Sequence, residues 1–466
     1  MKSTQGNIQL LATGNIGRLL WDYSLPAVIG MIVMSLYNVI DRIFIGQGVG
    51  PDAIAGLAIT FPVMNISSAL GVLIGAGASA RVSILLGAKN QKGAEDILGN
   101  SMVLILINAT IYLTFFAIFL DDILRLFGAS NASLPYAHDF MTYILPGMLV
   151  MNVGFTMNNI MRASGYPIKA MTTMFLGAGC NLILAPLFIF GFNWGIKGAA
   201  IATDISMSIF AIRVLHHFMQ RKNTLHFTRS GFKLKWATIV SIIGIGAAPS
   251  IVNIASCFIN VIINTRLYQY GGDSAVAAAG IFTTTTSLLT MVVTGICQGM
   301  QPIVGYNYGA GNLSRLRRAY FLAVAYSTIV VSIGTVIGLN YPSIIARAFT
   351  ADANLISVTD NALKLSMTAF WVVGLQIVST NFFQSIGKVG KSIFLSLVRQ
   401  VIFLIPLLLL LTDRFGLDGI WYAFPASDIL ATAITVVMIL WQMRQISCEN
   451  AKNETKTPKY APLQHE

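Results

Sequence analysis

Apolar residues along this chain come in stretches of about 20, each bounded by polar residues or by Gly and Pro, rather than in the alternating or one-faced patterns of soluble elements. Twelve such stretches predict twelve membrane helices: 21–46, 53–79, 98–120, 136–160, 170–192, 197–219, 238–267, 276–304, 319–340, 362–385, 393–412 and 419–443. Lipid offers the backbone no hydrogen-bond partner, so each stretch is expected to satisfy its own peptide groups as a helix. The fold class that follows is an all-α membrane protein.

The punctuation then repeats at an offset of roughly 222 residues. Pro26 matches Pro249, GAKN at 87–90 matches GAGN at 309–312, Gly165 in RASG matches Gly387 in QSIG, and Gly198 in GIKG matches Gly419 in GLDG. Six crossings return a chain to its starting side, so the two halves are parallel six-helix repeats related by an axis along the membrane normal, forming two lobes. The division read from this is an N-lobe at 1–219, a cytoplasmic inter-lobe linker at 220–236, a C-lobe at 237–445 and a polar cytoplasmic tail at 446–466.

Composition agrees, with 10% charged and 55% hydrophobic residues, where soluble domains carry about 25% charged. A net charge of +12 invites a nucleic-acid reading until its placement is considered. The basic residues gather after even-numbered helices: Arg81, Lys89 and Lys92; Arg162 and Lys169; Arg221, Lys222, Arg229, Lys233 and Lys235; Arg315, Arg317 and Arg318; Lys388 and Lys391. Odd loops hold mainly Arg125, Lys197, Arg347 and Arg414, often beside acids. The positive-inside rule accounts for this bias, placing the even loops and both termini in the cytoplasm of a multi-pass protein of the plasma (inner) membrane. Nucleic acid is excluded as a partner; the bilayer is the expected one, and the chain is read as a monomer.

The opening segment shows no compact apolar core with a small-residue cleavage site, so no removable signal peptide is read. Cys180, Cys257, Cys297 and Cys448 are scattered and form neither a disulfide framework nor a metal spacing. No HExxH, GxSxG or phosphate-binding loop occurs, which argues against an enzyme, a metal site or a cofactor. Uphill transport by such a chain would draw on an ion gradient or on a partner subunit.

Polar residues inside the apolar stretches are then the candidates for function. In YNVIDRIFIG, Asp41 carries an insertion cost of roughly 2.5 to 3.5 kcal/mol. Its neighbour Arg42 projects about 100° away on a helix and pairs with it poorly. The repeat offset places neutral Asn264 opposite Asp41 and Gln384 opposite Arg162, so ion coupling is concentrated in the first half. Asn181 on the fifth stretch, with Thr203 and Asp204 on the sixth, lie at a similar depth to Asp41 and are expected to converge with it on one cation or proton.

In the second half, Arg399 and Asp428 are embedded in VRQVIFLIPLLLLL and FPASDILATAIT, where they either pair structurally or serve transport. Gln301 and Gln384, with Gln298, Asn307, Gln376 and Asn381, add hydrogen-bonding capacity for a substrate. The small-residue runs GVLIGAGASA and TTTTS read as close helix packing. Met31, Met34, Met151, Met157 and Met161 read as lining for an adaptable cavity or as plain core.

LPAVIGMIVMSLYNVIDRIFIG, LLGAKN with NYGAGN, MRASGYP with FFQSIGK, NLILAPLFIFGF with GIKGAAIAT, and RQVIFLIPLLLLL with GIWYAFPASD occur in an order that resembles the MATE (multidrug and toxic compound extrusion) transporters of the MOP flippase superfamily, across nearly all of residues 15–445. The resemblance implies a V-shaped pair of lobes that alternates access and exports amphiphilic, often cationic organic compounds in exchange for Na⁺ or H⁺. Its cation site would fall on Asp41, Asn181 and Thr203. Many relatives carry an Asp four residues after that Asn; here NLILAP has Ala185. Asp204 is the candidate to supply the missing acid, and since two close buried carboxylates resist joint ionisation, one would carry a proton, favouring H⁺ without excluding Na⁺. The alternative within the superfamily is a flippase for lipid-linked oligosaccharide or another lipid, which would want a cationic central cavity; apart from Arg399, few deep Arg or Lys are read from the sequence.

Overall fold

The structure, a computed structural model, describes residues 4–131 and 133–456. The first six membrane helices are α1 (Ile16–Gly48), α2 (Pro51–Gly87), α3 (Gln91–Ile118), α4 (Leu134–Ala163), α5 (Pro167–Gly191) and α6 (Gly195–Met219). Trp236–Gly309 is helical except at Gly272, whose φ of 63° and ψ of −160° divide it into α7 (236–271) and α8 (273–309). The second six are completed by α9 (Leu313–Asn340), α10 (Ala353–Ser366 and Phe370–Ser385, two limbs bent by 53°), α11 (Val389–Phe415) and α12 (Leu417–Lys456). Every predicted stretch falls on one of these helices, 98–120 and 170–192 overrunning α3 and α5 by two residues and one. The stretch at 362–385 is not one straight rod, because a 3₁₀ turn at Phe370–Val372 breaks it. The tail also begins as helix, since α12 runs on to Lys456; residues 457–466 lie outside the described part.

The sequence repeat is a repeat of turn chemistry. Lys89 and Gly311 both take positive φ, 56° and 71°, at the ends of α2 and α8. The asparagines that follow cap the next helices: Asn90 Oδ1 accepts from Gly93 N at 2.8 Å, and Asn312 Oδ1 from Arg315 N at 3.4 Å. Gly165 and Gly387 close α4 and α10 at φ of 100° and 71°, the left-handed geometry that favours glycine.

Three apolar cores explain the shape. One contains residues of both halves, among them Leu20, Val82, Met157, Val304 and Phe382. Another holds only first-half residues from Ile45 to Ala202, and the third only second-half residues from Ile259 to Ala423. The shared core includes the end of the bundle where α2 turns into α3 and the 220–235 connection runs, hereafter the linker side, and it reaches up the second half to Leu363 and Met367. The lobes thus join there and part toward the far side. Outward-pointing residues such as Ile111, Ile183 and Val437 are about two-thirds exposed, as suits faces solvated by acyl chains.

The connection between the lobes is a strap rather than a free loop. Asn100 Nδ2 donates to the carbonyls of Gly231 (2.8 Å) and Lys233 (3.0 Å), and Lys235 Nζ lies 2.5 Å from Asp96 Oδ2. Leu225 is fully buried.

Of the two small-residue runs, the first packs: Gly71 and Gly75 abut Asn152 and Thr156 of α4, while Gly77 meets Ile242 of α7. The threonines at 283–286 do something else. Thr283 and Thr284 are exposed, and the hydroxyls of all four donate to carbonyls one turn back in α8. A hydroxyl can satisfy itself on its own helix in this way, so composition alone misread the run.

Candidate functional site

Asp41 sits two turns from the end of α1, with Oδ1 buried and without a hydrogen-bond partner. Arg42 does not pair with it; the guanidinium lies over the Phe61 ring, 4.4 Å from its centre. Asn181 Nδ2 on α5 donates to Thr203 Oγ1 on α6 at 3.1 Å, both groups buried. That bond leaves Asn181 Oδ1 free to accept or ligate. Tyr37, one turn before Asp41 on α1, is buried as well. Tyr37 was not singled out from the sequence; its place one turn before Asp41 on the same helix face was the available signal.

Asp204 belongs to the neighbouring face of α6. Its carboxylate rests on Gly147 of α4, where a Cβ would collide with it, and its Oδ1 also has no partner. Ala185 lies one turn beyond Asn181, fully buried in the first-half core. The first lobe therefore holds two buried, orphaned carboxyl oxygens, one on α1 and one on α6, and an amide–hydroxyl pair that joins α5 to α6. An oxygen donor set of this kind suits a proton or a hard monovalent cation.

A cavity of about 420 Å³ is lined by α1, α2, α4, α5 and α8, and Asp41, Asn181, Thr203 and Asp204 are not among the residues that border it. Met31, Met34 and Met151 line it, as read from the sequence, and Met174 and Met291 join them. Met157 and Met161 do not; they are fully buried in the shared core. Ser68 borders both this cavity and a second space of about 340 Å³ between Phe61, Pro62 and Asn65 of α2 and Asn253, Ser256 and Asn260 of α7. A path toward the far side follows.

The cavity's charge comes from a residue read above as a loop cation. Arg162 is only 6% exposed and closes the linker-side end of the cavity. Nη2 donates to Asn158 Oδ1 at 3.2 Å and Nη1 to Gln298 Oε1. Asn158 is itself fixed, its Nδ2 donating to Ala170 O and Thr173 Oγ1, both at 2.9 Å. The expectation of few deep cations beyond Arg399 is corrected here: α4 extends to Ala163, so Arg162 is a last-turn helix residue that projects inward. Polar residues at one-turn spacing, Asn152 with Thr156 and Asn158 with Arg162, were the signal in the sequence.

The second-half candidates lie elsewhere, and none of Gln301, Gln384, Arg399 and Asp428 borders this cavity. Arg399 Nε, on a π-helical turn of α11, meets Asp428 Oδ1 of α12 at 2.6 Å with Asp428 4% exposed, so these two form a buried ion pair. Gln301 crosses between the lobes, donating to Ser79 Oγ at 3.0 Å and Ala76 O at 3.4 Å. Gln384 is buried near the end of α10.

The MatE family profile matches residues 26–187 and 238–410, one segment in each half. The chain is 26% identical over 434 residues to the multidrug export protein MepA of Staphylococcus haemolyticus, covering 92% of this chain and 94% of that protein. It is 27% identical over 456 residues to a FAD transporter of Shewanella oneidensis, covering 96% and 98%. Among solved structures, it superposes with a TM-score of 0.89 at 25% identity on the outward-facing conformation of a multidrug resistance MATE family transporter of the MOP superfamily, covering 96% of this chain and 99% of that one.

Proposed function

We propose, from the premise that the chain belongs to the MatE family of transporters, that it is a secondary active efflux transporter, exchanging amphiphilic organic compounds for H⁺ or Na⁺ by alternating access. Two lobes with a shared core on one side and separate cores on the other form the kind of scaffold that rocks about its joined end. The observation that carries the coupling is the pair of orphaned carboxyl oxygens, Asp41 Oδ1 and Asp204 Oδ1, in the lobe that also holds the Asn181–Thr203 pair. A buried carboxylate without a partner needs a proton or a cation, and a site of that sort responds to an ion gradient. The lobes correspond to 1–219 and 237–445, the strap to 220–236, and the chain acts as a monomer without a cofactor.

The test is counterflow in proteoliposomes. A drug-like dye should accumulate against its gradient when an opposed H⁺ or Na⁺ gradient is imposed, and only then. Accumulation independent of both gradients would leave no coupling for these residues, and movement of a labelled lipid in place of the dye would favour a flippase.

The topology in the plasma membrane follows from the even-loop basic bias, which supports cytoplasmic placement of both termini and of the linker side. In a background lacking the four native cysteines, Arg229→Cys should react with an impermeant maleimide only after permeabilisation. Ready labelling in intact cells would reverse the orientation.

A further inference from the structure

We infer that the central cavity selects compounds bearing an anionic group, a carboxylate or a phosphate, which Arg162 receives. The inference rests on the proposed efflux function and takes this cavity as its substrate site.

Of the residues lining the cavity, Arg162 is the one with a charge; the others are methionines, amides, hydroxyls, Phe155 and small apolar groups. No carboxylate lies within ion-pair distance of it among the described residues. A guanidinium has five N–H donors. Two are spent, on the neutral oxygens of Asn158 and Gln298. Burying a cation with neutral partners alone is costly, and a planar fork with free donors matches a carboxylate or phosphate.

The surroundings hold the fork still. Asn158 is anchored to α5 through two bonds, and Gln298 donates to Met31 Sδ at 3.6 Å. Little rotamer freedom then remains to be lost when an anion binds. The methionines supply the other half of recognition, an adaptable wall for an apolar body. A compound with a flat apolar ring system and one acid group fits both, whereas a compound carrying only positive charge faces Arg162 directly.

Arg162 and Gln298 also join α4 of one lobe to α8 of the other, so a merely structural bond between lobes is the competing account. That account makes no distinction between an acid and its ester. Rhodamine 110 and rhodamine 123 share a fluorophore and differ in a carboxylic acid against its methyl ester. Fluorescence polarisation on the full chain in nanodiscs at neutral pH should give the acid at least about a tenfold tighter Kd than the ester, the range of one charge-assisted contact. Arg162→Gln should bring the acid-to-ester ratio close to one, and Arg162→Lys should keep part of it. A wild-type ratio near one, a ratio unchanged by Arg162→Gln, or binding of neither dye would each overturn the inference. Should the Gln variant fail to fold, the wild-type ratio and the Lys variant still decide. Ion-driven export of the ester with no preference for the acid would sink the anion selectivity alone; a clear acid preference without ion-driven counterflow would sink the export reading alone.

Discussion

Asp41→Asn should reduce ion-driven efflux to the level of empty vesicles while the chain still reaches the membrane in normal amounts. The amide fills the same volume as the carboxyl but neither takes up a proton nor balances a cation, so a carrier that depends on that exchange stops. Loss of the charge carries no structural penalty here, since Asp41 makes no ion pair with Arg42 and its buried Oδ1 has no hydrogen-bond partner to lose. Removing an orphaned buried carboxyl is neutral or stabilising. Thermal melting of the purified variant should therefore stay level or rise. A fall in melting temperature with proportionate loss of protein would mark Asp41 as structural, and normal efflux would end its coupling role. Asp204 extends the same test. Asp204→Val should also lose ion-driven efflux, and adding Ala185→Asp, one turn beyond Asn181 on the buried face of α5, should restore part of it. If Asp204→Val transports like the parent, that carboxylate only packs on Gly147, and Asp41 works without a second acid.

Much of this arrangement was legible in the sequence because membrane helices and turns obey local rules. Hydropathy alone marks twelve stretches, since lipid forbids irregular backbone within them. The repeat was legible because a capped turn needs particular residues at particular positions: a residue at positive φ, then Asn, gives GAKN and GAGN in both halves. What the sequence hid were the ends of helices and the relations between them. Arg162 reads as a loop cation in a linear scan and becomes a cavity residue because α4 runs one turn further. Lys235 likewise counts as a loop charge, yet it pairs with Asp96 and fastens the strap. Gln301 was a substrate candidate on composition, but its partners, Ser79 and Ala76, belong to the other lobe, a contact that no local pattern encodes. Asp41 and Asn181 stand out as candidates because a charge or amide in an apolar helix is conspicuous in itself.

Gly309→Val should abolish transport, and so should Gly87→Val in the opposite lobe, because the two glycines make the same contact from its two sides. A Cβ at Gly87 would strike the carbonyl of Tyr306, and one at Gly309 would strike the carbonyl of Ile84. The two pairs are related by the repeat offset, so the axis between the lobes passes through this crossing of α2 and α8. Farther along α2, Gly77 meets Ile242 of α7 and Gly246 of α7 meets Leu73. The related crossing of α1 and α8 sets Gly299 against the backbone of Ser24 and Gly295 against Val28. The linker side is thus shut by bare backbone, and backbone contacts of this kind leave no space for even one methyl group. Overpacking typically costs about 1 to 3 kcal/mol, and here the cost falls on the state with the linker side closed, not on either lobe's own core. A penalty of that size shifts the balance of states by roughly five- to 150-fold. Spin labels at the α2–α3 and α8–α9 turns should therefore move apart in Gly309→Val, with each lobe still folded. Gly280 on α8 has open space around it, so Gly280→Val is the matched control and should transport normally. Unchanged label distances with intact transport in Gly309→Val would show that the lobes do not need this contact to close, and the rocking motion would have to be carried by some other crossing.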